Sequence, residues 1–246
     1  MESFIIPKLI FIVPYRNRER EKTHFSIYMK YIMEDYNKSD YEIYFSHQKD
    51  NRPFNRGAIK NIGFLAIKKQ YPNDYKDITF VFNDVDTIPY DKNILNYETS
   101  NGIIKHFYGF THALGGIFSI KGEDFEKTNG FPNLWSWGYE DNLMQERVLS
   151  AGLKIDRSNF FPLGNQNILH FYDGMGKAVS RKEIKASGLN DNNLHSLYNI
   201  KCVINGDWIN IKHFDAVYDD SKYKLEQVHI NNIQQKLRPI DLNMFR

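Results

Sequence analysis

Two aspartates one residue apart, Asp84 and Asp86, follow a run of apolar residues in the segment FVFNDVDTIPY, residues 80–90. Two carboxylates this close together repel each other unless a positive charge lies near them. Hard divalent cations prefer oxygen ligands, and a cation shared with a diphosphate requires only one or two protein carboxylates. Aspartates that cap the following turn would show the same short motif. By itself the motif therefore leaves a metal site and a turn as equal alternatives.

Positive charge is available in two earlier segments, YRNRER (residues 15–20) and NRPFNRG (residues 51–57). Guanidinium groups bind phosphate oxygens through paired hydrogen bonds, so Arg16, Arg18 and Arg56 are candidate ligands of a diphosphate. The alternative is a solvated basic face, and for RNRERE alone that is the better interpretation.

An acidic pair, Glu140 and Asp141, follows two tryptophans in the segment WSWGYEDN, residues 135–142. Acidic residues at the start of a helix favour its dipole and cap free N–H groups, which is a structural explanation of about equal weight. Exposed aromatic faces suit sugar rings, however, and a carboxylate beside them can accept a hydroxyl proton. The segment therefore indicates a binding cleft.

The elements that must position these residues alternate between strand and helix. Apolar runs predict three strands, and apolar residues at helical spacing predict two helices between them. In order, these are the strand that opens KLIFIVPYRNRERE (8–21), the helix 21–36, the strand DYEIYFSHQ (40–48), the helix NRGAIKNIGFLAIKKQ (55–70) and the strand DITFVFNDVD (77–86). This order predicts parallel pairing in an α/β layered sheet. Because such sheets bind ligands at the carboxyl ends of their strands, the two basic segments and the aspartate pair are expected to meet there.

The second half of the chain is less regular. A lone histidine such as His170 is more often structural than a metal ligand. The polar residues 173–196 are the best candidate for a mobile loop, and since no linker is visible, one domain over residues 1–246 is predicted. The remaining predicted elements are a strand at HALGGIFSI (112–120) that is entered through its paired glycines, a Gly- and Trp-rich loop (129–141), a helix at DNLMQERVLSAGL (141–153), short strands near His170, and a hairpin at KCVINGDWINIKHF (201–214) with Asn205 and Gly206 at the turn.

Composition excludes several classes of protein. The 246 residues are 41% hydrophobic and 25% charged, as in ordinary globular proteins. The net charge of +2 is far below that of a dedicated nucleic-acid binder, so no nucleic-acid partner is expected. Cys202 is the only cysteine, which rules out an internal disulfide and indicates the cytoplasm or another reducing compartment. The first apolar run is interrupted by Pro7 and Lys8, so we expect a soluble chain without signal peptide, anchor or integral membrane segment.

Four segments in this order resemble the β-1,4-galactosyltransferase family, glycosyltransferase family seven: FIVPYRNRERE, RPFNRGAIKNIGF, FVFNDVDTIP and GGIFSIKGEDFEKTNGFPNLWSWGYEDN. The family typically shows Pro-Phe-Arg-Asn-Arg, Phe-Asn-Arg, Asp-Val-Asp, and a Gly-Gly strand followed by Asn-Gly-Phe-Pro and Trp-Gly-Trp-Gly-x-Glu-Asp-Asp. Each motif is weak alone, but the ordered set is specific. The resemblance implies a GT-A nucleotide-diphospho-sugar transferase fold, with a mixed central sheet flanked by helices, in a compact form without membrane anchor. It also implies metal-dependent, inverting transfer of a hexose or N-acetylhexosamine from a UDP-sugar to a sugar hydroxyl of a glycan or glycoconjugate.

The resemblance assigns roles to individual residues. The donor site would comprise Pro14, Tyr15, Arg16, Arg18, Phe54, Arg56, Asp84, Gly116 and Trp137, with Asp84 facing the ribose and the sugar. The acceptor sugar would contact Trp137, Tyr139, Glu140 and Asp141, and Asp141 would be the catalytic base. Mn²⁺ or another divalent cation would be bound by Asp86 and His170. Residues 173–196 would form a lid that closes over the bound donor and builds the acceptor site.

Several positions depart from the family pattern. Asn142 stands at the third acidic position, and Ser136 replaces a glycine in the tryptophan segment. The third metal ligand falls on Asn167 or Ile168, of which only Asn167 offers a side-chain oxygen. Ala113 stands where the family often has a bulky tyrosine against C2 of the donor sugar, so N-acetylgalactosamine or another sugar is expected to fit.

Two alternatives to such an enzyme stay open. The first is a catalytically silent sugar- or nucleotide-binding module of the same fold, which Asn142 and the incomplete metal shell favour. The presence of Asp86, Asp141 and His170 argues against it. The second is a metal nuclease or nucleotidyltransferase that uses Asp84 and Asp86. That function leaves the tryptophan segment unexplained and gains little support from the net charge.

Overall fold

A computed structural model gives the architecture of residues 5–135, 137–171 and 192–216, together with the backbone of the strands at 177–179 and 226–228. The predicted lid at 173–196 lies outside the described residues except for 177–179 and 192–196.

Nine strands of the described part of the chain form one mixed sheet. They are β1 (Leu9–Tyr15), β2 (Tyr41–Gln48), β3 (Thr79–Asn83), β5 (Ile103–Gly109), β6 (Ile117–Lys121), β7 (Lys154–Asp156), β8 (Phe161–Pro162), β11 (Tyr198–Asn205) and β12 (Trp208–Asp215). Their spatial order is β11-β12-β2-β1-β3-β6-β5-β7, with β8 also paired to β5. Strands β12, β2, β1 and β3 run parallel, whereas β6 is antiparallel to both of its neighbours. The predicted parallel pairing of the first three strands is therefore confirmed.

Two short ladders accompany the sheet. One joins β4 (Thr87–Pro89) to β9 (Ile168–His170), antiparallel, and the other joins β10 (Lys177–Val179) to β13 (Glu226–Val228). In the first ladder Thr87 lies opposite His170, and the N–H of Phe171 donates to the carbonyl of Asp86 at 2.8 Å. The end of β9 is thereby fixed beside the aspartate pair.

Helices cover both faces of the sheet, as the all-buried pattern of β1 requires. Ile10 and Ile12 of β1 point to the face covered by α2, whereas Phe11 points to the face covered by α1, where it packs near Phe25. The helices of the described residues are α1 (Glu19–Ile32), α2 (Arg56–Gln70), α3 (Gly122–Lys127) and α4 (Glu140–Ser150), with a 3₁₀ turn at Leu194–Ser196. Because both faces of β1 pack against helices, the loop after β1 and the loop before α2 are held at one edge of the sheet.

The strand predicted at 112–120, entered through paired glycines, is present as β6. It begins at Ile117, directly after Gly116, whose positive φ of 70° turns the chain. Strand β5 was not predicted, since Lys105 and His106 interrupt its apolar pattern. Helix α3 was also missed.

The late hairpin is present, but its two-residue turn is Gly206–Asp207 rather than Asn205–Gly206. Asn205 pairs with Trp208 as the last residue pair of the ladder, and Gly206 has φ of 57°. A glycine with positive φ at the first central position is what a type II′ turn requires. The backbone conformation of Gly206 therefore decides the position of the turn.

Candidate active site

Arg56 is the centre of the candidate site, and the start of α2 places it there. The side chain of Asn55 accepts a hydrogen bond from the N–H of Ala58 at 3.0 Å, which caps the helix and fixes Arg56 at its first position. Among the described residues, the Arg56 guanidinium pairs with three carboxylates: Asp84, Glu140 at 2.8 Å and Asp141 at 3.0 Å. The planar fork of arginine can serve several carboxylates at once. Arg56 therefore joins the aspartate motif to the acidic pair.

The acidic pair occupies the first turn of α4. The helix begins after Gly138 (φ 100°) and Tyr139 (φ 72°), two residues in the left-handed region, and the carbonyl of Asp141 accepts from the N–H of Leu114 at 2.8 Å. The Glu140 side chain is 3% exposed and that of Asp141 is 19% exposed. Oε2 of Glu140 is buried without a hydrogen-bond partner among the described residues. A buried carboxylate oxygen of this kind is suited to accept a hydrogen bond from a hydroxyl group of a bound ligand.

The two adjacent carboxylates have pKa values that shift in opposite directions. Burial and the charge of Asp141 raise the pKa of Glu140 above its ordinary value. The pKa of Asp141 is lowered, because the charges of Arg56 and Lys60 outweigh the effect of burial. Opposite shifts in neighbouring carboxylates distinguish the group that stays ionised from the one that is protonated more easily. Asp141 is thus the member of the pair that gives up its proton more readily.

A glycine turn lies against Asp141. A Cβ on Gly115 would occupy the position of the Asp141 carboxylate, and one on Gly116 would collide with the carbonyl of Tyr108. The carbonyl of Gly116 also accepts from the N–H of Asp84 at 3.0 Å. The Gly-Gly pair therefore gives the backbone its close approach to both acidic segments.

The predicted metal ligands Asp86 and His170 come together through the β4–β9 ladder. Burial and the neighbouring charge of Asp84 raise the pKa of Asp86, although His170, Arg56 and Arg18 act in the opposite direction. A buried carboxylate whose charge is incompletely balanced fits a divalent cation. His170 Nδ1 is hydrogen-bonded to the hydroxyl of Tyr108 at 3.0 Å, a contact that orients the ring.

No cluster of three or more potential metal ligands occurs among the residues that the structure describes. Asn167, the position of the third ligand in the resemblance, is engaged through its backbone: its carbonyl accepts from Tyr90 and its N–H donates to Asn165. Asp86 and His170 are the two predicted protein ligands, a number that would suffice if a diphosphate supplied further oxygens.

The loops after β1 and β2 also meet, as expected. Arg16 donates to the carbonyl of Arg52, and burial lowers the pKa of the Arg16 guanidinium. Arg18 lies within electrostatic range of Asp86. Pro14 and Tyr15 are the buried end of β1, where the Tyr15 ring contacts Trp208 edge-on at 5.0 Å. Phe54 is partly buried against the core beside α2.

The aromatic residues of the tryptophan segment divide into two groups. Trp135 is buried and stacks on Phe214 at 5.2 Å, with the Arg52 guanidinium 4.5 Å from its ring. Trp137 is 46% exposed and Tyr139 is 39% exposed, both directly before the acidic pair. The first group anchors the segment to the sheet, and the second presents aromatic surface to solvent.

Two of the departures from the family pattern have structural partners. The Asn142 side chain donates to the carbonyl of His112 at 3.1 Å. Ala113, which follows His112 in the chain, is buried. A cleft of about 670 Å³ lies beside His170, lined in part by Tyr90, Tyr108 and Asn165. Its amide-rich wall adds hydrogen-bonding groups next to the predicted metal ligands.

Three residues that take part in this site were not predicted: Lys60, His106 and Tyr108. Lys60 contacts Asp141, His106 supports the Gly115 carbonyl, and Tyr108 contacts His170. The one available signal was the four-residue spacing of Arg56 and Lys60, which places both on the same face of a helix.

Residues 5–98 match the family described as the N-terminal region of glycosyl transferase group 7, and residues 103–173 match the N-terminal domain of galactosyltransferase. The β-1,4-galactosyltransferase 4 of Cricetulus griseus is 31% identical over 169 residues, which are 64% of this chain and 47% of that protein. The β-1,4-galactosyltransferase 5 of Homo sapiens is 30% identical over 212 residues, 78% of this chain and 52% of that protein. The chain thus spans about half the length of the curated relatives it matches.

Two crystal structures of a Drosophila β-1,4-galactosyltransferase 7 are similar in fold. One is of a mutant in complex with manganese, UDP-Gal and xylobiose (TM-score 0.67, 22% identity), and the other is of the catalytic domain with xylobiose (TM-score 0.69, 23% identity). Each alignment covers 88% of this chain and 97% of that chain. The predicted GT-A fold is confirmed. Within the described residues, none of the helices combines the length and hydrophobicity needed to cross a bilayer.

Proposed function

Because the chain belongs to glycosyltransferase family seven, we propose that it transfers a hexose or N-acetylhexosamine of the galactose type from a UDP-sugar to a hydroxyl of a glycan or glycoconjugate, with inversion at the anomeric carbon. One observation carries the proposal: Arg56 holds Asp84, Glu140 and Asp141 together within electrostatic range of Asp86. The manganese, UDP-Gal and xylobiose in the Drosophila complex support the same classes of metal, donor and acceptor.

The side chains support a proton transfer to Asp141. This carboxylate is ionised and partly exposed, so it can accept the proton of the attacking hydroxyl. Oε2 of Glu140, which has no hydrogen-bond partner among the described residues, would accept a hydrogen bond from a second hydroxyl of the acceptor sugar. The exposed rings of Trp137 and Tyr139 would contact the faces of that sugar. The attacking oxygen approaches from the side opposite the diphosphate, so the configuration inverts.

Basic side chains would bind the diphosphate. Arg16 and Arg18 lie on the loop after β1, and guanidinium groups stabilise the charge that develops on a departing phosphate. A divalent cation held by Asp86 and His170 would supply further positive charge at the same place. Ala113 stands where the family often has a bulky tyrosine against C2 of the donor sugar, which is why we include N-acetylhexosamines among the donors.

The test is a donor screen that measures UDP release with and without Mn²⁺, followed by an acceptor array with the best donor. We expect release to require the metal and to increase with a sugar acceptor. UDP binding without release from any donor would instead favour a silent binding module of the same fold.

Substitution of each aspartate of the motif separates their roles. Asp86→Asn should abolish the response to Mn²⁺, because it removes a charged ligand. Asp84→Asn should retain Mn²⁺ affinity and raise the KM for the donor, since Asp84 is proposed to face the donor hydroxyls. Loss of Mn²⁺ dependence in the Asp84 variant alone would reverse this assignment.

A further inference from the structure

Lys60 is a buried cation next to the proposed base. It lies one turn after Arg56 on α2, so both side chains emerge from one face of the helix. Its side chain is 1% exposed, and its Nζ lies 3.0 Å from Oδ1 of Asp141 and 4.4 Å from the centre of the Phe131 ring. A buried ammonium costs free energy unless a negative group compensates it. Asp141 is that group.

The charge balance of the site depends on Lys60. The Arg56 guanidinium is divided among Asp84, Glu140 and Asp141, so without Lys60 one cation would face three carboxylates. The contact of Lys60 with Asp141 adds a second cation to the cluster. Because the site is largely buried, each charge acts on its neighbours with little screening by water.

Lys60 also distinguishes the two adjacent acids of α4. Asp141 has a cation on each oxygen, with Lys60 at Oδ1 and Arg56 at Oδ2. Among the described residues, the side chain of Glu140 is hydrogen-bonded to one cation, Arg56 at Oε1. Burial raises the pKa of both acids, and Arg56 and Lys60 act against it at both; only at Asp141, which Lys60 contacts directly, do the two cations lower the pKa below its ordinary value. The amino group of one lysine thus breaks the equivalence of neighbouring carboxylates.

We propose that Lys60 is a positioning residue for sugar transfer: its ammonium fixes the carboxylate of Asp141 and makes Asp141, rather than Glu140, the group that accepts the proton of the attacking hydroxyl. This inference rests on the proposed function, in which Asp141 is the base. The other charged or titratable groups that act on Asp141 are Arg56 of α2, Glu140 of α4, Asp84 after β3 through its shared pair with Arg56, and His106 of β5.

The main variant is Lys60→Gln, which keeps a hydrogen-bond donor and removes the charge. Its matched control is Lys68→Gln, because Lys68 lies two turns further along α2 and pairs with Glu126 beside the ring of Tyr75, but is 34% exposed and distant from the site. The measurement is the pH dependence of kcat at saturating donor, with the Kd for UDP determined separately.

We expect the acidic limb of the Lys60→Gln profile to move upward by about 1 to 3 pH units, because loss of a neighbouring positive charge raises the pKa of Asp141. At neutral pH kcat should fall by about 10- to 100-fold, within the contribution of a general base. The Kd for UDP should not change, and Lys68→Gln should match the parent protein. An unmoved acidic limb, or an equal loss in both variants, would overturn the proposal.

A spectroscopic measurement separates this inference from the proposed function. The Asp141 carboxylate can be titrated by ¹³C NMR in the labelled protein, with Asp141→Asn for assignment. A higher pKa in the Lys60→Gln variant supports the role of Lys60 even if no donor and acceptor give turnover, in which case the proposed function fails alone. An unchanged pKa of Asp141 in the Lys60→Gln variant would refute the role of Lys60. If Lys60→Gln does not fold, Lys60→Arg should show the parental pH profile, and a shifted profile would refute the role of the charge.

Discussion

Arg56 carries the charge balance of the site because its guanidinium can donate in several directions from one planar group. Its contacts reach two segments that are far apart in the chain, since Glu140 lies 84 residues from Arg56 and Asp84 lies 28 residues from it. Replacement of one partner in a buried ion pair leaves the other charge without compensation, and that is the costly change.

We therefore expect Arg56→Met to lower the free energy of unfolding at pH 7 by about 3–5 kcal/mol. The loss should shrink as the pH falls toward 4, because protonation removes the charge of the carboxylates that Arg56 no longer balances. Urea unfolding at several pH values measures both effects. Lys8→Met, which removes an exposed pair with Asp40, serves as the control and should leave the unfolding midpoint unchanged. A loss of less than about 1 kcal/mol for Arg56→Met would contradict this account of the cluster.

At the scale of elements, the connection from β5 to β6 sets the position of the base. Nε2 of His106 donates to the carbonyls of Tyr108 and Gly115, each at 3.0 Å, and its Nδ1 accepts from Arg157 at 3.0 Å. Burial, with the charge of Arg157, lowers the pKa of His106 to about 4, so the ring stays neutral near pH 7. The neutral ring of His106 thus holds the glycine turn next to Asp141 through these hydrogen bonds.

This arrangement predicts the effect of Gly115→Ala. The new methyl group would displace the Asp141 carboxylate, so transfer should be lost while UDP binding, which we propose to involve the loops after β1 and β2, is retained. Steady-state kinetics and calorimetric UDP titration measure the two properties.

Gly152→Ala is the control for Gly115→Ala, because Gly152 follows the far end of α4 with φ of 73°, and an added Cβ there would meet open space. It should cost stability, by roughly 1 kcal/mol, without changing kcat. Full transfer activity of Gly115→Ala would show that the turn does not position the base.

At the scale of the whole molecule, the parallel strands β2, β1 and β3 deliver three loops to one edge of the sheet. The β4–β9 ladder then adds His170 to that edge from the second half of the chain. Donor diphosphate and cation would therefore bind to segments from both halves, and their binding should stabilise the fold as a unit.

We expect UDP together with Mn²⁺ to raise the Tm, with stabilisation of about 2.7 kcal/mol when free ligand reaches 100 times its Kd. The effect should be much smaller with UDP alone and in the Asp86→Asn variant, because one ligand of the shared cation is then missing. Differential scanning calorimetry measures it. The same rise in Tm with UDP alone would contradict a shared site.

The sequence by itself determined the layered α/β class and the carboxyl-end location of the charged loops, since buried strands and amphipathic helices have local periodicities. The family motifs also identified the residues that gather around Arg56. Tertiary structure decided the rest: β5 inserts beside β6, His170 reaches Asp86, and Lys60, 81 residues from Asp141, contacts it inside the core. These contacts depend on strand register and on charge balance between distant segments, and local sequence patterns predict neither of them.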